Sequence, residues 1–139
     1  MTADLRALFG RTGRGVLATI RKDGRPQLSN VDYVADMELG VIRVSTVNNR
    51  AKAHNLRRDP RAELHVTSRD GSAYAVAQCR AELTLPAAEP GDTTVDELVD
   101  VFRGVKGEHP DWDEYRAAMV ADERLVVRLH VERVYGWHP

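Results

Sequence analysis

Two cationic side chains, Arg50 and Lys52, stand two positions apart where the sequence predicts the first turn of a helix. We expect this helix to run from about Asn49 to Arg58, with Asn48 or Asn49 as its N-cap. The first turn of a helix leaves backbone N–H groups without partners and carries a partial positive charge. Because arginine and lysine add full charges that bind phosphate oxygens, the segment predicts a phosphate site.

A predicted β-hairpin precedes this segment and ends in a row of polar groups. Asp23 and Gly24 form its turn, because an Asp-Gly pair tolerates positive φ at low cost. Pro26 opens the return strand, where its missing N–H does least harm. The backbone groups of an exposed strand edge, with the side chains of Ser29 and Asn30, can bind the polar edge of a ring. The two segments together predict a ligand with a flat polar ring at one end and an anionic tail at the other.

Length and composition indicate one globular domain spanning residues 1–139. Apolar residues make up 42% of the chain and charged residues 29%, which is typical of a soluble globular protein. A net charge of -1 argues against a general nucleic-acid binder, and no apolar run is long enough for a signal-peptide core or a membrane span. With Cys79 as its single cysteine, the protein is expected to be cytoplasmic. The histidine spacing predicts no metal site.

Alternating and helical patterns predict a mainly β domain with a helical insertion before its last strand. Asp92 or Thr93 should cap the first inserted helix and Asp111 the second. A short amphipathic helix is expected over residues 3–9. The predicted strands cover about residues 15–20, 27–35, 41–46, 61–68, 74–85 and 125–131. Short antiparallel strands in this number suggest a small barrel.

A series of short motifs follows in a fixed order along the chain. The motifs are Gly-Val-Leu-Ala-Thr at 15–19, Asp-Gly-Arg-Pro-Gln-Leu-Ser-Asn at 23–30, Arg-Ala-Lys at 50–52, Asn-Leu-Arg-Arg-Asp-Pro-Arg-Ala at 55–62, Tyr-Ala-Val at 74–76, Pro-Asp-Trp-Asp-Glu-Tyr at 110–115 and Val-Tyr-Gly at 134–136. In this order and spacing they resemble the flavin-reductase-like split-barrel superfamily. More narrowly, the chain resembles the actinobacterial deazaflavin-dependent (coenzyme F420) branch of the pyridoxamine-phosphate-oxidase-like proteins. The resemblance implies a six-stranded antiparallel split β-barrel with flanking helices, and a homodimer with two equivalent cofactor sites at the subunit interface.

The same resemblance implies which residues hold the cofactor. The tricyclic ring is expected along the second strand, and the phosphate at the strand-to-helix segment. The fourth-to-fifth strand region of a partner subunit is expected to cover the ring. Close relatives carry a bulky aromatic residue just after the turn glycine, where this chain has Ser72. The ring residues are Pro26, Gln27, Leu28, Ser29 and Asn30, the phosphate residues are Ser45, Thr46, Arg50, Ala51 and Lys52, and the covering residues are Gly71, Ser72 and Tyr74.

The implied function is hydride transfer between coenzyme F420 and a small organic substrate. No side chain is identified as catalytic, although Tyr74 or a bound water could deliver the companion proton. A hypothesis motivated by sequence proximity is that three further arginines meet the carboxylates of the F420 tail. These are Arg57, Arg58 and Arg61.

Two main alternatives and one weaker alternative stay open. One is an FMN-dependent enzyme similar to pyridoxamine-phosphate oxidase, although residues 133–138 lack the Arg-x-His element that such oxidases carry near the C-terminus. The other is a carrier or sensor of F420 or flavin without turnover. A haem-handling split barrel is a weaker alternative, because no histidine stands out as an axial ligand. Tyr135 and Trp137 could cover a ligand in the other subunit or anchor the chain end.

Overall fold

Six antiparallel strands form a closed barrel in the computed structural model of the chain, which describes residues 4–139. Around the barrel the strands follow the order β1-β2-β3-β6-β5-β4 when they are numbered along the chain. This confirms the mainly β, six-stranded antiparallel barrel expected from the sequence. The strands are β1 (Thr12–Ile20), β2 (Pro26–Asp36), β3 (Val41–Val47), β4 (Arg61–Thr67), β5 (Tyr74–Leu83) and β6 (Arg124–Trp137).

Alternate side chains along each strand fill the barrel. One glycine allows β1 and β4 to pair and so close the sheet. On β1, Leu17 and Thr19 are buried, while Ala18 between them is only partly covered. β1 pairs with β4 over only three residue pairs. A Cβ at Gly15 would lie 2.7 Å from the carbonyl oxygen of His65. The closing contact between β1 and β4 therefore depends on a residue without a side chain.

Helices α1 (Ala51–Arg58), α2 (Thr93–Lys106) and α3 (Trp112–Ala121) flank the barrel in the described part of the chain. The carboxylates of Asp92 and Asp111 accept hydrogen bonds from the N–H groups of Val95 (2.8 Å) and Glu114 (3.1 Å), so both are N-caps as expected. None of the helices described in residues 4–139 combines the length and apolarity needed to cross a membrane.

Helix α2 lies tightly against β2. A Cβ added at Gly104 would come within 2.3 Å of Val34 Cγ1, so glycine permits the close approach. A second apolar cluster, separate from the barrel interior, forms between α2, α3 and the barrel and includes Val95, Leu98 and Val126. This packing fixes the helical pair relative to β2 and β6, which contribute Val34 and Val126.

The start of α1 differs from the sequence-based prediction. The helix begins at Ala51, with Arg50 as an N-cap that makes no side-chain capping bond. Asn48 does not cap the helix, because its side-chain and backbone oxygens accept hydrogen bonds from the Arg57 guanidinium, the latter at 3.2 Å. The preference of asparagine for an N-cap is overridden here by a longer-range contact.

Two terminal elements also differ from the prediction. The N-terminal segment forms a short 3₁₀ helix over Leu5–Phe9, and the expected start at Ala3 lies outside the described residues. Strand β6 continues to Trp137, well past the alternating run at 125–131, because β5 offers pairing partners as far as Tyr74. A β-bulge between Gln78 and Cys79 shifts the register on the way.

Strands β2 and β3 separate soon after they leave their connecting turn. Only three residue pairs join them, from Asp36–Val41 to Val34–Arg43. Beyond that point β2 pairs with β1 alone, and β3 pairs with β6 alone. The edge of β2 that faces β3 therefore lacks a neighbouring strand over most of its length.

Candidate functional site

The separation of β2 and β3 opens into a cleft of about 370 Å³, which we call the β2–β3 cleft. Its barrel side is polar and carries cations, and its other side is an apolar surface of α2 and α3. The barrel side and its approaches consist of Asn30, Val31, Asp32, Ser45, Lys52 and Arg124. The helical side consists of Val101, Phe102, Val105, Lys106, Tyr115 and Met119.

The cations around the β2–β3 cleft are not neutralised by the protein. Lys52 reaches the cleft from the first turn of α1, and Arg124 donates a hydrogen bond from its guanidinium to Ser45 Oγ at 3.1 Å. Within residues 4–139, neither of them nor Arg50 forms an ion pair with a carboxylate. Asp32 lines the cleft but binds Arg14 at 2.8 Å. The cleft therefore carries an unbalanced positive charge.

The lysine in this set shows the effect of that charge. Partial burial lowers the pKa of Lys52, and the neighbouring charges of Arg50 and Arg124 lower it further. A bound anion would relieve the same repulsion. The three cations make the uncapped N-terminus of α1 a candidate anion site, since a helix N-terminus favours phosphate.

An unusual backbone conformation positions Arg124 at the cleft. Glu123, the residue before it, has a φ of 50°, which ends the turn after α3 and starts β6. The carbonyl of Glu123 accepts a hydrogen bond from the N–H of Asn48 at 3.1 Å, and that of Arg124 accepts one from Ala87 at 2.7 Å. The sequence analysis missed Arg124. Its pairing opposite Val47 depends on the β3–β6 register, for which the sequence carries no local signal.

Aromatic packing holds the helical wall in place. Phe102 packs against Tyr115 with ring centroids 4.9 Å apart and against Trp112 at 5.7 Å. The Tyr115 hydroxyl donates to the carbonyl of Leu98 at 3.0 Å, and burial raises the pKa of Tyr115. Its proton is therefore committed to the helix–helix contact and is poorly suited to donation into the cleft.

The predicted ring and phosphate residues lie in several different environments. Asn30, Ser45 and Lys52 line the β2–β3 cleft. Gln27 contacts α1 through its side chain. Thr46 is only 4% exposed. The others are Pro26, Leu28 and Ser29 on β2, Arg50 as the N-cap and Ala51 as the first residue of α1.

The residues expected to cover the ring do not line this cleft. Gly71 and Ser72 lie in the β4–β5 turn, where Gly71 has a φ of 78°. The Ser72 hydroxyl and N–H both donate to Asp70, at 2.7 Å and 3.0 Å. Tyr74 begins β5 and stacks on His65 with ring centroids 5.6 Å apart. Their expected action on the site of a second subunit stays a prediction.

The three additional arginines have partners within the chain. Arg57 binds Asn48, and Arg58 donates to the carbonyl of Ile20 at 3.0 Å. Arg61 binds Asp59 at 2.7 Å and, through these hydrogen bonds, lowers the pKa of that carboxyl to about 2. None of the three is among the residues that line the β2–β3 cleft.

Comparisons with known proteins agree with this architecture. Residues 1–138 match the family model described as pyridoxamine 5'-phosphate oxidase. A solved F420 reductase superposes with a TM-score of 0.72 at 21% identity, covering 97% of this chain and 98% of that one. A conserved hypothetical protein from Mycobacterium tuberculosis gives 0.71 at 25% identity, with coverages of 99% and 86%. A heme binding protein from Mycobacterium smegmatis gives 0.69 at 21% identity, with coverages of 99% and 55%.

Removal of one cation should change the titration of another. In Arg124→Ala, we expect the pKa of Lys52 to rise, because a repelling charge is lost. A pH titration of the lysine Nζ resonances by NMR would measure this change. Arg11→Ala, which removes an exposed arginine outside the cleft, is the control and should leave Lys52 unchanged. An unaltered Lys52 titration in Arg124→Ala would contradict the electrostatic coupling.

Proposed function

The chain belongs to the pyridoxamine 5'-phosphate oxidase family of split barrels, and we propose that it binds coenzyme F420 in the β2–β3 cleft as an oxidoreductase. The family binds flavin-type cofactors such as FMN or F420 and contains oxidoreductases. The observation that carries the proposal is the convergence of Arg50, Lys52 and Arg124 without a carboxylate partner among the described residues.

The residues of the cleft fit such a ligand in both of its parts. Arg124 presents a planar guanidinium that can bind a phosphate with two parallel bonds, while Lys52 acts as a point charge. Ser45 can add a hydroxyl, and the N–H groups at the start of α1 add a partial positive charge. The free edge of β2 offers backbone donors and acceptors to the polar edge of a ring.

The cofactor, when bound, supplies the hydride chemistry. The protein binds its phosphate, orients its ring along β2 and excludes water from one side through the apolar helical wall. That wall includes Phe102, Val105 and Met119. The residues that line the cleft do not identify a donor for the companion proton, since the Tyr115 hydroxyl donates its hydrogen bond to the carbonyl of Leu98.

A fourth cation favours F420 over FMN. Lys106 lies on the helical side of the cleft, in the last turn of α2, and forms no ion pair with any carboxylate that the structure describes. F420 carries lactate and glutamate groups beyond its phosphate, whereas FMN ends at the phosphate. A second positive position across the cleft is therefore better matched to the longer, more anionic tail.

A second copy of the chain is the proposed partner, with two cofactor sites at the interface. Aromatic side chains lie on the outer surface where β5 and β6 pair, with Trp137 57% exposed and Tyr135 37% exposed. Tyr74 lies directly opposite Trp137 in this pairing. Large exposed aromatic groups of this kind are enriched at protein interfaces, and a partner surface would remove them from water.

Cofactor titrations test the proposed site. We expect Lys52→Ala and Arg124→Ala each to lose about 1.5–3 kcal/mol of binding free energy, or about ten- to hundredfold in Kd, because each removes a charged hydrogen bond. Fluorescence or absorbance titrations with F420 and FMN would give the Kd values. Lys106→Ala should weaken F420 and leave FMN unchanged.

Matched controls distinguish a local effect of the cleft cations from a general effect of protein charge on cofactor binding. Lys22→Ala and Arg11→Ala remove exposed charges at other positions, so the Kd values should stay at the wild-type level. Equal losses in these controls and in the cleft variants would contradict a local phosphate site. Tighter binding of FMN than of F420 would favour the flavin alternative.

Turnover distinguishes an enzyme from a carrier. We expect the protein to accelerate reoxidation of reduced F420 by an electrophilic organic acceptor, because the bound ring lies beside an apolar wall that can hold one. The measurement is recovery of the oxidised cofactor's absorbance with panels of enones, quinones and nitro compounds, against reactions without protein. Tight binding of F420 with no acceleration across these panels would support a carrier.

Light scattering tests the second subunit. We expect wild-type protein to elute with twice the chain mass and Trp137→Glu to shift toward the monomer, because a carboxylate would be buried against an apolar surface. Leu85→Glu changes another exposed apolar residue, in the loop after β5, and should leave the mass unchanged. A monomeric wild-type protein would exclude the interface sites.

A further inference from the structure

Helix α1 carries a buried asparagine whose hydrogen-bonding groups are all used. Asn55 is only 7% exposed. Its Nδ2 donates to Thr19 Oγ1 at 3.0 Å and to Gln27 Oε1 at 2.8 Å. Its Oδ1 accepts a hydrogen bond from Arg58 at 2.9 Å. Asn55 thus joins β1, β2 and its own helix through a polar network inside otherwise apolar packing.

Arg58 fixes the direction of every amide hydrogen bond in this network. A guanidinium has donors and no acceptor, so only the oxygen of Asn55 can face it. The Asn55 amide nitrogen must then point toward Thr19 and Gln27. Because that nitrogen only donates, Gln27 must present its oxygen. The polarity set by Arg58 is therefore transmitted through Asn55 to Gln27.

This network ends at Gln27, whose side-chain NH₂ group has no hydrogen-bond partner among the described residues. Gln27 Nε2 makes no hydrogen bond with any residue in the range 4–139. No buried side-chain nitrogen or oxygen of the described residues is left without a partner, so this NH₂ group must reach solvent. Gln27 is not itself among the residues that line the β2–β3 cleft, but it lies on the same face of β2 as Val31, which does line it.

We propose that Asn55 is a positioning residue that holds Gln27 as a hydrogen-bond donor for a carbonyl oxygen or ring nitrogen of the bound cofactor. This inference rests on the proposed function, because it places the ring along β2. In this proposal helix α1 contributes to binding at both ends of the ligand. Lys52 binds the anionic tail, and Asn55, one turn later, acts on the ring through Gln27. Thr19 does not set the polarity, since a hydroxyl can donate or accept.

The substitution Asn55→Asp reverses the direction of the hydrogen bond to Gln27 without changing the size of the side chain. The aspartate can still accept from Arg58 and from the Thr19 hydroxyl, but it has no NH₂ to offer Gln27. Gln27 must then turn its own NH₂ toward Asp and its oxygen toward the ligand. The side-chain oxygen of Gln27 would then face an acceptor atom of the ligand. Because two acceptors cannot form a hydrogen bond, the Kd for F420 and for FMN should rise at least about tenfold.

Two further readouts separate positioning from general support of the fold. Hydrogen exchange of the Gln27 side-chain amide, followed by NMR without ligand, should slow in Asn55→Asp because one hydrogen becomes bonded inside. Affinity for inorganic phosphate should fall much less than cofactor affinity, since the cations remain and the added carboxylate is paired with Arg58. Thr19→Val is the matched control. It removes a hydrogen bond from the same network but keeps its polarity, so it should lower thermal stability and leave both Gln27 exchange and cofactor affinity near wild type.

Gln27→Glu keeps Asn55 and Arg58 and provides the second variant if Asn55→Asp folds poorly. Its carboxylate accepts from Asn55 and presents an oxygen to the ligand, so the same loss of F420 and FMN affinity is expected. Wild-type cofactor affinity in both variants would overturn the inference while leaving the proposed function intact. A wild-type protein that binds neither cofactor would refute the proposed function, and the role of Gln27 with it.

Discussion

Strand separation is the constraint on which the β2–β3 cleft depends. A strand in a closed barrel normally pairs on both sides, because each backbone N–H and C=O group needs a hydrogen-bond partner. Here β2 and β3 share only three residue pairs, whereas the β3–β6 and β5–β6 pairings are long and hold the rest of the barrel together. The unpaired edge of β2 is thus available to a ligand, while the rest of the sheet keeps its geometry.

Lys52 and Arg124 lie together at the cleft without an ion pair to any carboxylate that the structure describes. Several arginines outside the cleft are matched to carboxylates, as in the pairs of Arg61 with Asp59 and Arg116 with Asp96. Arg128 likewise binds Glu97 and joins α2 to β6. At the cleft, partial burial lowers the pKa of Lys52, and the nearby charges of Arg50 and Arg124 lower it further. Because like charges placed together oppose folding, their grouping in a chain of net charge -1 is more readily explained by ligand binding.

Local patterns in the sequence were sufficient to predict most helices and strands, but they were insufficient to predict every residue of the β2–β3 cleft. Alternation, Asp-Gly turns and the Asp92 and Asp111 caps are properties of neighbouring residues, and the structure confirms them. The start of α1 was wrong because Asn48 binds Arg57, a partner nine residues away. Arg124 was missed because it meets Ser45 across 79 residues through strand register. The assignment of Gly71, Ser72 and Tyr74 came from resemblance alone and stays a prediction.

The helical pair α2 and α3 is inserted between two strands that are direct neighbours in the barrel. Since Leu83 pairs with Val127 on either side of the insertion, strand pairing continues across its base. The barrel wall of the cleft is therefore held by backbone hydrogen bonds between strands, whereas the helical wall is held on the barrel by side-chain contacts, both apolar and ionic. Substitutions on the helical wall can therefore alter which molecules fit the cleft without breaking the strand pairing that forms its other wall.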